Sequence, residues 1–277
     1  MSMGHPPTGG QNRLTLPGVK QMIAVASGKG GVGKSTVAAN LALALKMLGH
    51  KVGLLDADIY GPSVPIMMGL GTVDPNTTRF PLDKFGLKLM SMGFIVDPDQ
   101  AVIWRGPMIH KAVTQFLGDI DWGQLDYLII DLPPGTGDAQ LTLTQSAPLT
   151  GAVIVTTPQD VSLIDARKGL RMFEQVRVPV LGIVENMSYF IAPDTGKRYD
   201  IFRHGGGERL AKELNVPFLG GIPIEPQVTI QGDKGEPIVS SHPDSTVAQA
   251  YLTLAKTVKV SADKSAAELK AMPSLEL

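Results

Sequence analysis

The 277-residue sequence contains no cysteine. A disulfide framework, a thiolate metal site and a cysteine nucleophile are therefore excluded. Charged residues are also scarce, at 18%, and they nearly cancel to a net charge of -1, so nothing in the overall charge favours a nucleic acid or an anionic membrane as a partner. No apolar run approaches the roughly 18 residues that a membrane-spanning helix needs. We therefore expect a cytoplasmic protein that binds neither nucleic acid nor membrane.

What the sequence does contain is an alternation of short apolar segments with longer segments of helical spacing. This alternation predicts βαβ units and an α/β fold, in which helices cover both faces of a mostly parallel β-sheet in a three-layer sandwich. We predict a flexible leader over residues 1–20, a single domain over 21–260 and a C-terminal tail over 261–277. The predicted strands cover residues 22–27, 51–56, 87–92, 127–131, 151–157, 178–186 and 216–223, and the predicted helices cover 34–48, 107–120, 160–176, 206–215 and 245–260.

The stretch ASGKGGVGKST, residues 26–36, fits two phosphate-binding patterns. As G-x-G-x-x-G it offers Gly28, Gly30 and Gly33, and Asp56 ends the next predicted strand, where a dinucleotide site places its acidic residue. As G-x-x-x-x-G-K-[ST] it is a P-loop, whose backbone N–H groups surround the phosphates of a nucleoside triphosphate.

Lys34 and Ser35 favour the P-loop. The lysine neutralises the terminal phosphates and the serine hydroxyl ligates Mg²⁺, whereas a dinucleotide site requires neither. A later segment, YLIIDLPPGTGD, supplies a buried strand that ends in Asp131, which is the Walker B arrangement of a carboxylate near the metal. We therefore predict a triphosphate and Mg²⁺ at the loop residues Gly28, Lys29, Gly30, Gly31, Val32, Gly33, Lys34, Ser35 and Thr36.

Two carboxylates follow the second predicted strand. Asp56 and Asp58 are two residues apart and share a face of an extended chain, so both can point toward the phosphates. We predict that Asp56 belongs to the magnesium site and that Asp58 orients the attacking water; either residue is alternatively a turn former. The loop after Asp131 predicts a switch in which Gly135 offers its N–H to the γ-phosphate, or alternatively a rigid turn with two prolines.

The segment KGGVGKST resembles the deviant Walker A motif of the MinD, ParA and ArsA-like ATPases, whose hallmark is an extra lysine, here Lys29. Longer stretches, among them GLLDADIYGPSVPIMMG and GAVIVTTPQDVSLIDARKG, resemble the Mrp/ApbC family of ATP-dependent iron–sulfur cluster carriers. The resemblance implies that the chain hydrolyses ATP and forms a homodimer in which Lys29 reaches the partner's phosphates; otherwise Lys29 is a solvated loop lysine. It also implies iron–sulfur apoproteins or assembly factors as partners.

Two further roles come from this resemblance. Asn186 matches the asparagine that binds the adenine edge in relatives, and Pro223 matches a loop that packs near the base. Considered alone, Asn186 also suits strand-end capping and Pro223 suits a plain turn. Trp104 and Arg105 suit a dimer face or a partner groove; alternatively, Trp104 takes part in plain packing and Arg105 forms a surface salt bridge.

The resemblance fails at the positions of the family's cysteines. Many relatives carry a C-x-x-C pair whose thiolates hold a [4Fe–4S] cluster shared between two protomers, but Ala192 and Thr195 stand at those positions and provide no thiolate. Asp194, Asp200 and His204 lie nearby, and their spacing matches no standard metal site. A [4Fe–4S] cofactor is therefore doubtful. Two hypotheses stay open: iron–sulfur cluster assembly or delivery, and an ATP-switched scaffold that docks a partner without carrying a cluster.

Overall fold

The structure, a computed structural model, describes residues 14, 16–59, 61–71, 73, 80–94 and 106–271. Along these residues strands and helices alternate over most of the chain, as predicted. Their bounds are β1 Val19–Ala26, α1 Lys34–Met47, β2 Val52–Asp56, α2 Val64–Met67, β3 Leu82–Lys84, β4 Leu87–Ser91, α3 Gly106–Gly118, β5 Leu125–Asp131, α4 Asp138–Ser146, β6 Gly151–Thr156, α5 Asp160–Gln175, β7 Val180–Glu185, β8 Phe190–Ile191, β9 Arg198–Tyr199, α6 Gly206–Glu213, β10 Phe218–Gly221, α7 Pro226–Asp233, α8 Ile238–Ser241 and α9 Thr246–Ala271.

One eight-stranded sheet organises the fold, in the order β10-β7-β6-β1-β5-β2-β4-β3. Every neighbouring pair is parallel except β3 and β4, which form an antiparallel edge. Helices α1, α8 and α9 contribute to the apolar core on one face of the sheet, and α3, α4, α5 and α6 contribute to the core on the other. The predicted three-layer α/β fold is confirmed.

The continuous apolar character of the central strands follows from this double burial. In β1, Ile23 and Val25 belong to the core beneath α1 and α9, while Met22 and Ala24 belong to the opposite core. A strand that is covered on both faces has no solvent side on which polar residues could alternate. Helix α1 ends at Met47, one residue before its predicted end, and Gly49 just beyond it adopts the left-handed conformation at φ 91°.

The C-terminal helix differs from the prediction. Helix α9 continues beyond residue 260 to Ala271, so the predicted boundary between domain and tail lies inside a packed helix. Ala262 is fully buried, and the Ser265 hydroxyl donates to the Thr150 carbonyl at 2.7 Å. These contacts attach the end of α9 to the rest of the domain. Tertiary packing of this kind cannot be predicted from the helical propensity of the individual residues.

Other differences are smaller. Strand β1 begins at Val19, inside the predicted leader. The short strands β3, β8 and β9 and the helices α2, α4, α7 and α8 were not predicted. Residues 1–13, Trp104, Arg105 and residues 272–277 lie outside the described part of the chain. Each described helix is too short or too polar to cross a bilayer.

Candidate nucleotide-binding site

The P-loop joins the carboxyl end of β1 to the first turn of α1, and two of its glycines are required by close packing. A Cβ atom on Gly28 would lie 2.0 Å from the carbonyl oxygen of Asp165 in α5. Gly33 has φ 79°, and a Cβ there would lie 2.3 Å from Nδ2 of Asn186. The P-loop therefore packs closely against α5 and against the residue that follows β7, and this packing involves protein atoms alone.

The carboxylates that we predicted for the site come together because three parallel strands end side by side. Asp56 of β2 and Asp131 of β5 are direct neighbours in the sheet register. The Nζ atom of Lys34 lies 2.6 Å from Oδ1 of Asp131, 3.8 Å from Oδ2 of Asp58 and 3.3 Å from Oγ of Ser35. The structure thus gathers five of the predicted site residues at one edge of the sheet.

This cluster is buried and carries more negative than positive groups. Lys34 is 6% exposed, Asp58 is 7% exposed, and Asp56 and Asp131 are fully buried. Burial raises the pKa of Asp131 against the opposing charge of Lys34, and burial together with the charge of Asp131 raises the pKa of Asp56 to about 7. One ammonium group does not compensate these carboxylates, so the site favours an additional cation.

The oxygen atoms of the site fit Mg²⁺. Within the described chain, Oδ2 of Asp131 is buried and accepts no hydrogen bond. A buried carboxylate oxygen without a partner is unfavourable, so its presence points to a ligand. Carboxylate and hydroxyl oxygens are the protein ligands that Mg²⁺ prefers, and Ser35 supplies the hydroxyl.

Asp56 is held differently from Asp131. Its Oδ1 accepts the N–H of Asp58 at 3.2 Å, and its Oδ2 accepts the N–H of Val64 at 3.2 Å and the hydroxyl of Ser91 at 3.1 Å. These bonds suit a carboxylate that supports a metal-bound water better than one that ligates the ion directly. Sequence reasoning missed Ser91 and Val64; the available signal for Ser91 was a hydroxyl at the end of a predicted strand.

The loop after β5 is folded back onto β1. The N–H of Gly135 donates to the carbonyl of Ser27 at 3.0 Å, and the N–H of Leu132 donates to the carbonyl of Val25 at 3.0 Å. The Gly135 amide that we predicted for the γ-phosphate is therefore engaged within the protein. It can meet a phosphate only if the loop moves.

The two predicted base-binding residues lie beyond adjacent strands. Asn186 is 6% exposed, and its Nδ2 donates to the carbonyl of Val32 in the P-loop at 2.8 Å. Pro223 is buried, and the N–H of Ile222 before it donates to Glu185 of β7 at 2.9 Å. Asn186 thus contacts the P-loop directly, which is more than strand-end capping.

Lys29 is unlike Lys34. It is half-buried, and its ammonium group forms no hydrogen bond or ion pair with any residue that the structure describes. Its backbone carbonyl accepts the Ser27 hydroxyl at 2.8 Å, which fixes the loop while the side chain stays available.

The segment that aligns with the relatives' cysteines forms a hairpin of β8 and β9. The N–H of Ala192 donates to Lys197 at 2.9 Å, and the N–H of Gly196 donates to Ala192 at 2.8 Å, which closes the turn that contains exposed Thr195. Arg198 extends from β9 over the ring of Tyr189 at 4.2 Å.

A thiolate-bound cluster does not fit this hairpin, since the chain has no cysteine. Asp200 and His204 are engaged with Arg198, which donates to Oδ1 of Asp200 at 3.0 Å and lies 2.8 Å from Nδ1 of His204. In the described part of the chain, no group of three or more His, Asp or Glu side chains is arranged to hold a metal ion.

A glycine-rich loop between β1 and α1, with a buried lysine, a serine and strand-end carboxylates around it, defines a P-loop nucleotide-binding protein. Residues 18–259 match the ParA family model described as "NUBPL iron-transfer P-loop NTPase". The chain therefore belongs to this family, as the resemblance in the sequence implied.

Individual relatives agree with this assignment. The chain is 58% identical over 255 residues to the "Iron-sulfur cluster carrier protein" of Synechocystis, covering 89% of this chain and 72% of that one. It is 48% identical over 273 residues to the "Iron-sulfur protein required for NADH dehydrogenase, mitochondrial" of Arabidopsis thaliana, covering 97% and 86% of the two chains.

Solved structures share the fold. A nucleotide-binding protein from Archaeoglobus fulgidus, in complex with ADP, is 43% identical with a TM-score of 0.69, covering 79% of this chain and 88% of that one. The MinD protein of Pyrococcus horikoshii has a TM-score of 0.68 at 23% identity, covering 89% and 98% of the two chains, and it supports the fold alone.

Proposed function

We propose that this protein binds ATP with Mg²⁺, hydrolyses it, and acts in the assembly of iron–sulfur clusters or their delivery to apoproteins. The observation that carries the proposal is the position of the Lys34 ammonium group, 2.6 Å from Asp131 and 3.8 Å from Asp58, at the start of the helix that follows the P-loop. The names of the relatives and the ADP of the Archaeoglobus structure support it.

The binding step exchanges the partners of Lys34. In the structure Lys34 pairs with Asp131; on binding a triphosphate it turns to the β- and γ-phosphates and releases the carboxylate. Ser35 and Asp131 would hold Mg²⁺, and Asp56 would order one of its waters. When bound, the ion neutralises the charge that develops on the transferring phosphoryl group.

The hydrolysis step uses Asp58 and the loop after β5. Asp58 orients a water whose oxygen bonds to the γ-phosphorus while the bond to the β–γ bridging oxygen breaks, which releases ADP and phosphate. Gly135 leaves the Ser27 carbonyl and donates to the γ-phosphate, while Asn186 and Pro223 hold the adenine.

We further propose that Lys29 acts across a homodimer. Its ammonium group has no partner within the described part of its own protomer, although the backbone around it is fixed by the Ser27 hydroxyl. An unpaired cation on a fixed backbone can stabilise phosphate charge in a second copy of the chain, as an arginine finger does.

A matched pair of variants of β5 tests the hydrolysis. Asp131→Asn removes the buried carboxylate at the site, while Asp126→Asn changes the same residue type at the opposite end of the same strand. With ATP and Mg²⁺, we expect Asp131→Asn to lower phosphate release by at least about a hundredfold, and Asp126→Asn to leave it nearly unchanged. Equal rates in the wild type and Asp131→Asn would refute the proposal.

The second candidate function is an ATP-switched scaffold that carries no cluster. Ala192 and Thr195 favour it, because they occupy a closed hairpin turn without a thiolate. Anaerobic reconstitution with iron and sulfide, followed by removal of excess reagents, an absorption spectrum and iron analysis, separates the two. A stable stoichiometric cluster contradicts the scaffold function. If no cluster forms, a carrier function requires that a partner protein supply the thiols. The cytoplasmic location remains a prediction.

A further inference from the structure

Helix α2 is a short helix that contacts the nucleotide site at both ends. At its start, the N–H of Val64 donates to Oδ2 of Asp56 at 3.2 Å. Near its end, the sulfur of Met67 accepts the hydroxyl of Thr36 in the P-loop at 3.8 Å. The same carboxylate of Asp56 accepts the N–H of Asp58 at 3.2 Å, so the position of α2 bears on the residue assigned to orient water.

Beyond its end, α2 meets a distant part of the chain through two glycines. Gly69 and Gly235 have φ values of 61° and 75°, in the left-handed region. A Cβ atom on Gly235 would lie 2.2 Å from the Cα of Gly69, and a Cβ on Gly69 would lie 2.9 Å from the carbonyl oxygen of Gly235. Backbone packs against backbone here, and no flexible side chain can yield to an added methyl group.

Gly235 is connected through α7 to residues 222–225, the segment around Pro223 that we call the base loop. Its N–H donates to Gly232 at the end of that helix at 3.0 Å. At the other end of α7, the N–H of Val228 donates to Glu225 at 3.0 Å, and the N–H of Ile224, the residue after Pro223, donates to Tyr189 at 2.7 Å. Hydrogen-bonded backbone therefore connects Glu225, two residues after Pro223, through α7 to the contact with Gly69.

We propose that the Gly69–Gly235 contact couples the base loop to Asp56 and Asp58 and makes hydrolysis depend on the base. A base held at Pro223 fixes α7; α7 fixes α2; and α2 keeps Val64 on Asp56, which holds the backbone of Asp58. The proposal rests on the proposed ATPase activity. Gly69 and Gly235 are positioning residues, which touch neither substrate nor metal.

The coupling makes ATP and a bare triphosphate unequal substrates. Both offer phosphates to the P-loop, but tripolyphosphate has no base and leaves α7 without a ligand at its start. When two sites are coupled, occupation of one typically changes the affinity of the other by about 5- to 150-fold. We expect the wild type to hydrolyse ATP with a kcat about tenfold or more above that for tripolyphosphate.

The test compares three proteins with both substrates. Gly235→Ala disturbs the contact, and Gly232→Ala is the matched control, since a Cβ at Gly232 meets nothing within 4 Å and its backbone is not left-handed. We expect Gly235→Ala to lower kcat for ATP toward the tripolyphosphate value while kcat for tripolyphosphate stays within about twofold. We expect Gly232→Ala to behave as the wild type.

The outcomes separate this proposal from the proposed function. A wild type that hydrolyses neither substrate overturns both. If the wild type hydrolyses ATP, then equal kcat values for the two substrates, or equal losses for both in Gly235→Ala, overturn the coupling alone. Should Gly235→Ala fail to fold by circular dichroism, Gly69→Ala, with its longer closest approach of 2.9 Å, gives the same comparison.

Discussion

Replacing Asp56 by Asn should change how the stability of the nucleotide-free protein depends on pH. Burial raises the pKa of Asp56 to about 7, whereas an exposed aspartate has a pKa of 3.8. A carboxyl whose pKa is higher in the folded protein favours folding when it is protonated. Its contribution is complete below the unfolded pKa of 3.8 and is lost as the pH rises through about 7.

Two opposing terms set the magnitude. The rise in pKa corresponds to on the order of 4 kcal/mol of wild-type stability, which is lost between acidic and alkaline pH. Asn removes this dependence but cannot accept from both Asp58 and Val64, because it has a single acceptor oxygen. The donor left unpaired costs about 1–3 kcal/mol at every pH. Asp56→Asn should therefore be less stable than the wild type in acid and more stable in alkali.

Urea unfolding of the magnesium- and nucleotide-free proteins, followed by circular dichroism, measures this crossing from about pH 5 to about pH 8.5. Asp126→Asn is the control whose stability difference from the wild type stays constant over this range, since the hydrogen bond from Lys20 lowers the pKa of Asp126 below 3.8. Its carboxylate stabilises the wild type above the unfolded pKa and loses that effect as the pH falls. A stability difference between Asp56→Asn and the wild type that stays constant with pH would refute the reasoning.

Three further predictions concern other parts of the molecule. Lys34→Met leaves Asp131 buried without its cation and should lower the free energy of unfolding by about 3–5 kcal/mol at pH 8 in urea titrations; an unchanged midpoint contradicts the ion pair. Lys29→Ala should leave the fold intact and abolish ATP-dependent dimerisation in sedimentation velocity, and a dimer that persists contradicts the role across protomers. Truncation after Val260 removes the buried Ala262 and should lower the melting temperature by several degrees, about what a loss of 1–2 kcal/mol gives; an unchanged value contradicts the packing of α9.

The sequence predicts the centre of the site well because phosphate binding is a local problem. Loop amides, lysine and serine must follow one another directly, so the segment from Gly28 to Thr36 carries its geometry in its spacing. Asp131 is equally predictable from the sequence. The strand before it is buried on both faces, so it must end at the same edge of the sheet as the strand before the P-loop.

The remaining features depend on contacts between distant segments. Ser91 reaches Asp56 only because β4 lies beside β2, and Asn186 reaches Val32 across 154 positions of the chain. The end of α9 is Ala-rich and charged, a composition that is typical of a loose tail. Only the burial of Ala262 and the hydrogen bond from Ser265 to Thr150 show that it packs against the domain. None of these contacts leaves a periodic signal.

In the proposed function, Lys34 exchanges its carboxylate partner for the phosphates of the nucleotide that is hydrolysed. Steady-state phosphate release from ATP, with and without Mg²⁺, by purified wild type and Lys34→Ala tests it most directly. We expect that the wild type releases phosphate only with Mg²⁺ and that Lys34→Ala releases none. Undiminished release by the pure variant would contradict it.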